Sequence, residues 1–493
     1  MSLPANGAPW PPPEWAAYYD RITVDDAWYS GDRGRLARIY GRDQKTPRRR
    51  LWARRSTAHR PGKDTRLHVP LAGDIAQTSA DMLFADMPRI VVEDARTQAR
   101  LDTLLAEGHT QQMLLSAAEQ CAALSGVYLR ATWDRDLTDR PLLTAVQPDN
   151  AIPEFRFGML TAASFWRELS GSTTQVVYRH VERHEPGRIA HALYQGSGDN
   201  IGRRIPLAEH PDTAALVGSI ERDGESTTTG IRRLTCAYVP NMTPNRLHRG
   251  SPIGRSDYAA PIYDQLDGLD ETWTSWMRDI RLARARLIVP DGYLRSNGPG
   301  RGASFDEDAE VYAQLNMPPT ENGGITLSQF AIRVEEHQRT AEALTRQAAQ
   351  SAGYAARSFG LDQGGGGNRT ATEVDSDDDK STTTRRKKAG HWKQGLADAL
   401  VAVLELDAVH FGSGAPAERP RVEFPDGVAD SPMDTATTLE LLNRAQAVST
   451  ATRVKILHPE WDDTEVKAEA AAILRETGTG APDPGDPGST YPM

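Results

Sequence analysis

The 493-residue sequence has little cysteine, few aromatic residues and no long apolar run. Its two cysteines, Cys121 and Cys236, belong to no CxxC pair and cannot build a disulfide framework, so we expect plain core residues in a reducing environment. No stretch approaches the ~18 uninterrupted apolar residues of a membrane-spanning helix, and the N-terminus lacks the basic and apolar regions of a signal peptide. These absences predict a soluble protein that stays where it is made.

Aromatic residues make up 7% of the chain and hydrophobic residues 39%, which favours an elongated or modular subunit over one compact core. The net charge of −10 argues against a protein that grips nucleic acid over its whole surface, because such binding neutralises phosphates with Lys and Arg. It is compatible with a surface along which DNA slides without sticking. Positive charge is concentrated in residues 41–66, which hold ten Lys or Arg and two acids. We interpret this segment as a solvated or subunit-bridging face rather than a nucleic-acid site.

A run of four glycines, Gly364 to Gly367, lies between two long polar helical patterns. A phosphate-binding Walker A loop follows a strand and carries Lys and Ser or Thr directly after its last glycine. Here Asn368 and Arg369 follow, and the preceding pattern is helical, so we expect no nucleotide site. Because glycine has no Cβ and loses the most backbone entropy on ordering, the run predicts a mobile, thin loop that a large partner can approach.

The acidic run 375–379 starts with the D-x-D-x-D spacing of a calcium-binding EF-hand loop. That loop requires Gly at its sixth position and Glu at its twelfth, where this chain has Lys380 and Arg386. The acids are typical instead of the first turns of a helix capped by a preceding threonine. The basic cluster Arg385 to Lys388 follows further along that helix, as the helix dipole favours.

A second group of metal-ligand residue types comprises His180, Glu182, His184, Glu185 and His191. A zincin site needs HExxH on a helix, whereas these residues lie on an alternating, strand-like pattern interrupted by a Pro-Gly turn. The pattern favours polar residues on the surface of a strand and predicts no metal site.

Apolar periodicity divides the first half of the chain. Helical spacing predicts one helix that ends before Pro88 and another over 108–125. From Gly126 to about residue 240 the period changes to two, with Asp, Pro and Gly turn signals, which predicts an antiparallel sheet.

The second half predicts two long helices, 257–290 and 334–359, and a third over 370–409 after the glycine run. The first of these helices has acidic residues near its start and arginines near its end. It carries one narrow apolar stripe, formed by Ile262, Leu266, Leu269, Trp273, Met277 and Ile280. The remaining faces of so long a helix must meet polar neighbours or water. A strand over 421–426, helices over about 432–449 and 463–476, and a disordered tail from 477 complete the prediction.

Several segments have a recognisable order and spacing over about 400 residues. They include VPLAGDIAQTSADMLF, PDNAIPEF, FWREL, YRHVERHEPGRI, YVPNMTPNR, GRSDYAAPIYDQLDGLDETWTSWMRDIRLARARLIVP, AGYAARSFGL, TATEV and HPEWDD. With these segments the chain resembles the portal proteins of tailed bacteriophages, in particular those of phages that infect actinobacteria. The sequence DSDDDK at 375–380 departs from the family, which would have more mixed charge at this point of the helix.

The resemblance implies an α+β, mainly α, portal fold that assembles as a ring. Its regions would be a wing at 1–256, stem helices at 257–290 and 331–359, a clip at 291–330, a tunnel loop at 360–369, a long wing helix and strand at 370–429, a crown at 430–476 and a disordered tail at 477–493. The tunnel loop would present these residues to DNA in the channel: Gln363, Gly364, Gly365, Gly366, Gly367, Asn368 and Arg369. The stem helices would pack through the six stripe residues.

The implied function is that of a structural ring of twelve copies at one capsid vertex, through which double-stranded DNA is packaged and ejected. The implied partners are other copies of the chain, DNA, the terminase ATPase, the major capsid and scaffold proteins, and a head-tail adaptor. No enzyme activity, cofactor or metal is expected, and the location is the virion, with host cytoplasm during assembly. Two alternatives are another head-completion or tail ring protein, and a metal-dependent nuclease that uses the acids of 375–379 and the histidines of 180–191.

Overall fold

The computed structural model describes residues 3–43, 67–221, 224–259, 261–283, 286–288, 295–296, 303–304, 326–328, 332–361, 371–425, 439–445, 447–458 and 461–476. The chain forms two compact units, residues 1–425 and 426–493. Among the described residues, no helix combines the length and apolarity that crossing a membrane requires.

The first unit opens with helices and one short strand: α1 (Pro13–Ser30), α2 (Arg33–Asp43), α3 (Leu71–Phe84), β1 (Arg89–Val91), α4 (Ala95–Glu107) and α5 (Thr110–Leu124). The elements α3 and α5 confirm the two helices predicted from apolar spacing. Asp94 caps the start of α4, because its side chain accepts a hydrogen bond from the backbone N–H of Thr97 at 2.8 Å.

The sheet predicted between 126 and 240 is confirmed, as two antiparallel sheets rather than one. Their strands are β2 (Gly126–Thr132), β3 (Leu142–Val146), β4 (Ala151–Arg156), β5 (Met159–Glu168), β6 (Val177–Glu185), β7 (Arg188–Gly196), β8 (Arg203–Ile205), β9 (Ser226–Thr228) and β10 (Cys236–Pro240). The smaller sheet has the order β10-β2-β3, and the larger has the order β4-β5-β6-β7-β8 with β9 paired to β7. A short helix, α6 (Pro211–Ala214), lies between β8 and β9.

The first long helix, α7 (Ile262–Leu282), is shorter at both ends than the predicted 257–290. It begins late because Asp257 is fully buried and bonded to other segments, and because Pro261 precedes the first helical turn. After it, β11 (Arg286–Ile288) pairs with β14 (Thr326–Ser328), and β12 (Arg295–Ser296) pairs with β13 (Ala303–Ser304).

The other two long helices are also confirmed, with altered ends. The helix α8 (Val334–Ala352) stops at Gly353, whose φ of 102° is left-handed, and a short 3-10 turn (Ala356–Phe359) replaces the end of the predicted 334–359 helix. The helix α9 (Ala371–Leu406) continues into a π-helical turn at Asp407–Phe411. The strand β15 (Arg421–Glu423) then pairs antiparallel with β1.

Two large apolar cores join the helices of the described part of this unit to one another and to the smaller sheet. The larger is formed by the end of α3, α4, α5, β2, β10 and the second half of α9, around Trp392. The other joins α1, α3 and α5 to α7 and α8, around Trp28. The helix α3 takes part in both cores, so it connects the long helices to the sheets.

The described residues of the second unit form three helices, α10 (439–444), α11 (Thr450–Leu457) and α12 (Asp463–Glu476). Val454, Val466 and Ala470 form its small core. The predicted helix 463–476 is confirmed. The predicted helix 432–449 is interrupted, because Ser449 caps a new helix by accepting from the backbone N–H of Thr452.

Candidate functional site

The sequence points to the long helices around the glycine run as the functional region. The seven predicted tunnel-loop residues, Gln363 to Arg369, lie outside the described residues. The helices that lead to and from this run, α8 and α9, are described, as is α7, which packs along α8.

The stripe on α7 divides into two halves. Ile262, Leu266 and Leu269 are at most 2% exposed and belong to the core shared with α1, α3 and α8. Gly268 faces Leu344 of α8, where an added Cβ would make ordinary van der Waals contact at 3.5 Å. The first half of the stripe therefore fixes α7 against α8 within the subunit.

The second half of the stripe lies at the surface. Trp273, Met277 and Ile280 are 37%, 38% and 40% exposed. Because large apolar side chains gain roughly 25 cal/mol per Å² when buried, an aligned row of three is an unused source of binding energy. The sequence predicts the stripe, but the packing of one subunit covers only its first half.

A polar cluster links α7 to the start of α8 near the exposed row. Asp279 accepts hydrogen bonds from His337 at 3.0 Å and from Arg333 at 3.0 Å. These two groups hold the pKa of Asp279 below its usual value. The imidazole of His337 also stacks on Trp276 at 6.0 Å between ring centroids. The cluster thus fixes the second end of the α7–α8 pair.

At the first end of the pair lies a buried ion pair. The Lys388 ammonium of α9 is 2.5 Å from the Asp257 carboxylate, and both side chains are at most 2% exposed. The same carboxylate accepts from Tyr354 Oη and Asn241 Nδ2, each at 2.8 Å, and Lys388 also donates to Ser79 Oγ at 2.5 Å. We call these five residues the Asp257 network.

The Asp257 network joins segments that are far apart in the sequence. It connects α3, the end of β10, the residues before α7, the residues after α8, and α9. Burial raises the pKa of Tyr354 well above its usual value, and Asp257 adds to the effect, so this phenol donates its proton and does not ionise. The network therefore fixes the helices on both sides of the glycine run to the rest of the subunit.

Further contacts of α9 extend this anchor. Ser381 accepts from the backbone N–H of Ala355, and Thr384 donates to the carbonyl of Gly353, at 2.8 and 2.7 Å. Arg385 donates to the backbone carbonyls of Met82 and Pro425, each at 2.6 Å. The end of α8 is thereby bonded directly to α9.

Arg385 and Lys388 do not complement the helix dipole as predicted, because they lie in the middle of α9 rather than in its last turn. Both side chains are buried. The sequence does contain a signal that these polar residues share one face of the helix. Ser381, Thr384, Arg385 and Lys388 follow i, i+3, i+4 and i+7 spacing, which places them on one helix face. The charge pattern alone cannot distinguish that face from a solvated one, since the partners are backbone carbonyls and a distant carboxylate.

The histidines of β6 and β7 are buried, contrary to the prediction, whereas the side chains of Glu182 and Glu185 are 13% and 26% exposed. His180, His184 and His191 are at most 7% exposed, because one face of their sheet packs near the β10-β2-β3 sheet and the other is covered by the N-terminal segment. Period-two alternation cannot separate exposed polar residues from buried, paired ones. Among the described residues, no group of three or more ligand-type side chains is placed to hold a metal ion.

These buried groups pair with each other instead. His184 lies between Thr235 at 2.5 Å and Glu182 at 2.8 Å, and Glu182 also accepts from Arg130 at 2.8 Å. Burial alone would raise the pKa of Glu182, but Arg130 and His184 outweigh it and hold that pKa well below its usual value.

His180 and His191 form a stacked pair. Their ring nitrogens are 3.3 Å apart and their planes are 4° from parallel. Burial lowers the pKa of His180 to about 4 and lowers that of His191 too, so both rings are neutral near pH 7. The pair is a structural contact within the sheet. The side chains of the acidic run 375–379 lie outside the described part of the chain.

The sequence and the structure were compared with those of known proteins. No curated protein matches the sequence. A solved structure of the neck of an empty GTA particle, computed with C6 symmetry, is similar with a TM-score of 0.39 and 14% identity, over 79% of this chain and 89% of that chain. The family model described as "Phage portal protein, SPP1 Gp6-like" matches residues 12–482. Since this match spans nearly the whole sequence, the chain belongs to the SPP1 Gp6-like family of phage portal proteins.

Proposed function

We propose that this protein is the portal subunit of a tailed phage that infects actinobacteria, and that twelve copies form a ring at one capsid vertex. Double-stranded DNA passes through the ring during packaging and ejection. Membership in the portal family supports the connector role, and that family is structural rather than enzymatic. The energy for packaging then comes from a separate terminase ATPase.

In this proposal α7 and α8 are the stem helices, and residues 291–330 between them are the clip on which terminase and the head-tail adaptor bind. The glycine run, with Arg369, is the tunnel loop around the DNA, and α9 is the long wing helix. Residues 430–476 form the crown, and capsid and scaffold proteins meet the wing. The site of action is the portal vertex of the virion, after assembly in the host cytoplasm.

The observation that carries the ring is the exposed row on α7. Trp273, Met277 and Ile280 are aligned, apolar and more than a third exposed in one subunit. A neighbouring copy would cover this row, and in a closed ring every copy makes the same contact. The Asp257 network supports the proposal as well, because it holds α8 and α9 at fixed positions on either side of the glycine run.

Purified full-length protein should form closed rings with an open centre. Electron-microscope class averages viewed down the symmetry axis would show the number of copies, and sedimentation would give the mass in solution. A monodisperse monomer at micromolar concentration, with no rings in the micrographs, would contradict the proposal.

A further inference from the structure

A groove of about 550 Å³ runs along the outer face of α3, between α3, α7 and α8. Its lining is partly apolar, with Val69, Leu71, Trp273, Ala341 and Phe359. Leu71 and Ala341 are buried, whereas the large ring of Trp273 is 37% exposed. We call this feature the α3 groove. Its apolar lining offers a surface that a partner with apolar side chains can cover.

The rim of the α3 groove is acidic. Asp74 and Asp81 of α3 and Glu342 of α8 line it, and none of them forms an ion pair within the described part of the chain. Asp74 and Asp81 are seven residues apart, about 10 Å along one helix face. Partial burial raises the pKa of Asp74, which remains exposed to solvent at the rim.

The chemistry of the groove selects its partner. Three carboxylates repel nucleic acid and membranes rich in anionic lipid, because both present phosphates. Arginine suits the site, since its guanidinium forms paired hydrogen bonds with carboxylates and stacks on indole rings such as that of Trp273. The partner is therefore an arginine-rich peptide that also carries apolar side chains.

The chain itself contains such a peptide. Residues 48–55 read RRRLWARR, with five arginines around Leu51 and Trp52, and lie outside the described residues. Leu67 lies next to the groove, and its backbone N–H donates to Thr274 Oγ1 at 2.9 Å. The eleven residues between Arg55 and Leu67 give twelve Cα–Cα steps, which can reach up to about 40 Å.

We propose that residues 48–55 bind in the α3 groove of their own chain. Tethering favours this partner over any free peptide, because a short linker gives an effective concentration on the order of millimolar. The bound peptide would tie the N-terminal helices to α3 and α8 and neutralise the acidic rim. The groove shares Trp273 with the row proposed to meet a neighbouring copy, but the binding of residues 48–55 can be tested without ring assembly.

Distances between two spin labels on the full-length protein test this. Labels at Ala53→Cys and Ala343→Cys, the latter an exposed position next to Glu342, report whether the segment lies at the groove. Both native cysteines are buried, so the introduced ones react selectively. We expect one narrow distance population that high salt broadens.

Two charge variants of the labelled protein show whether the acidic rim of the α3 groove causes the narrow distance population. Asp74→Asn, Asp81→Asn and Glu342→Gln together should abolish the narrow population. Asp20→Asn, Asp86→Asn and Glu209→Gln remove the same charge from exposed sites elsewhere and should preserve it. Equal melting temperatures would show that both variants fold.

Three results would overturn the proposal. One is a broad distribution in the parent protein, and another is a narrow one that survives the groove variant. The third is a narrow population that disappears when labelled protein is diluted with unlabelled chain, because the segment would then bind a neighbouring copy.

Discussion

Asp257 is a buried carboxylate whose hydrogen bonds all come from other parts of the subunit. The attraction between Asp257 and Lys388 is offset by the water that both charges lose, so an intact buried pair adds little net stability. Removing one partner is different, because the other charge is then left in the interior without compensation. The pair therefore specifies how α3, α8 and α9 meet more than it strengthens the fold.

We expect Lys388→Met to lower the free energy of unfolding by about 3–5 kcal/mol, since it leaves the Asp257 carboxylate buried and uncompensated. Adding Asp257→Asn should recover part of that loss, because a neutral amide oxygen still accepts from Tyr354 or Asn241. The matched control is Lys387→Met, an exposed neighbour that should change the free energy by less than about 0.5 kcal/mol. Urea unfolding measures all three, and equal effects of the two lysine variants would refute the assignment.

His180 makes stability depend on pH. Its pKa falls from 6.5 to about 4 on folding, so the unfolded chain binds the proton more readily. Its contribution is complete above pH 6.5 and is lost as the pH falls toward 4, by up to about 3 kcal/mol. Glu182, whose pKa is also lowered, acts in the same direction. Asp25 opposes them, because its raised pKa of about 7 makes folding more favourable as the pH falls.

The variant His180→Phe isolates the histidine, because phenylalanine can still stack on His191 but does not titrate. We expect the difference in unfolding free energy between the parent and this variant to shrink, then change sign or level off, as the pH falls from 6.5 to 4. His109→Asn serves as control, since His109 is exposed and asparagine tolerates its positive φ of 48°. Parallel pH profiles of parent and His180→Phe would show that His180 carries no such dependence.

Among the helices, α7 combines two roles along one stripe. Its first half belongs to the subunit core and its second half is exposed. A helix of 21 residues is roughly 30 Å long, long enough to separate a folding surface from a binding surface. The α7–α8 pair is closed at one end by the Asp257 network and at the other by Asp279.

Substitutions in the two halves of the stripe should therefore fail in different ways. Leu266→Asp puts an unpaired carboxylate in the core and should destabilise the subunit by more than about 3 kcal/mol. Ile280→Asp lies at a 40% exposed position and should leave subunit stability within about 0.5 kcal/mol while weakening ring assembly. Thermal unfolding and sedimentation distinguish the two defects. If Ile280→Asp formed normal rings, the exposed row of α7 would not be the contact between neighbouring subunits.

Periodicity predicts most of these elements and fails at particular places. The apolar spacing of α3, α5, α7 and α8 depends on one buried face, so the sequence contains it. The ends of the helices are harder to predict. Helix α7 starts later than expected because Asp257 pairs with Lys388, a distant residue that no local sequence pattern indicates. The buried histidines of β6 were misjudged for a similar reason, since burial on both faces depends on segments distant in the chain.

In the proposed function the glycine run acts at the level of the whole assembly, because one tunnel loop per subunit would form a collar in a ring of copies. Gly365→Val and Gly366→Val should leave subunit stability and ring formation nearly intact but shorten the DNA that is packaged, since β-branched residues stiffen the collar. The control Gly250→Val changes an exposed loop glycine around which an added Cβ meets nothing within 4 Å. Packaged DNA of full length from the loop variant, or loss of rings in it, would show that the loop does not line the channel.

The Asp257 network also sets an order of events in the making of the subunit. Asp257 precedes Tyr354 by 97 residues and Lys388 by 131. A chain growing on the ribosome therefore carries this aspartate in water while all of α7, α8 and the glycine run are synthesised. Contacts of such long sequence separation form late, because closing the loop between them costs entropy that only the finished contact repays. The centre of the subunit closes only after α9 has emerged, so an incomplete chain has no cation with which to bury Asp257.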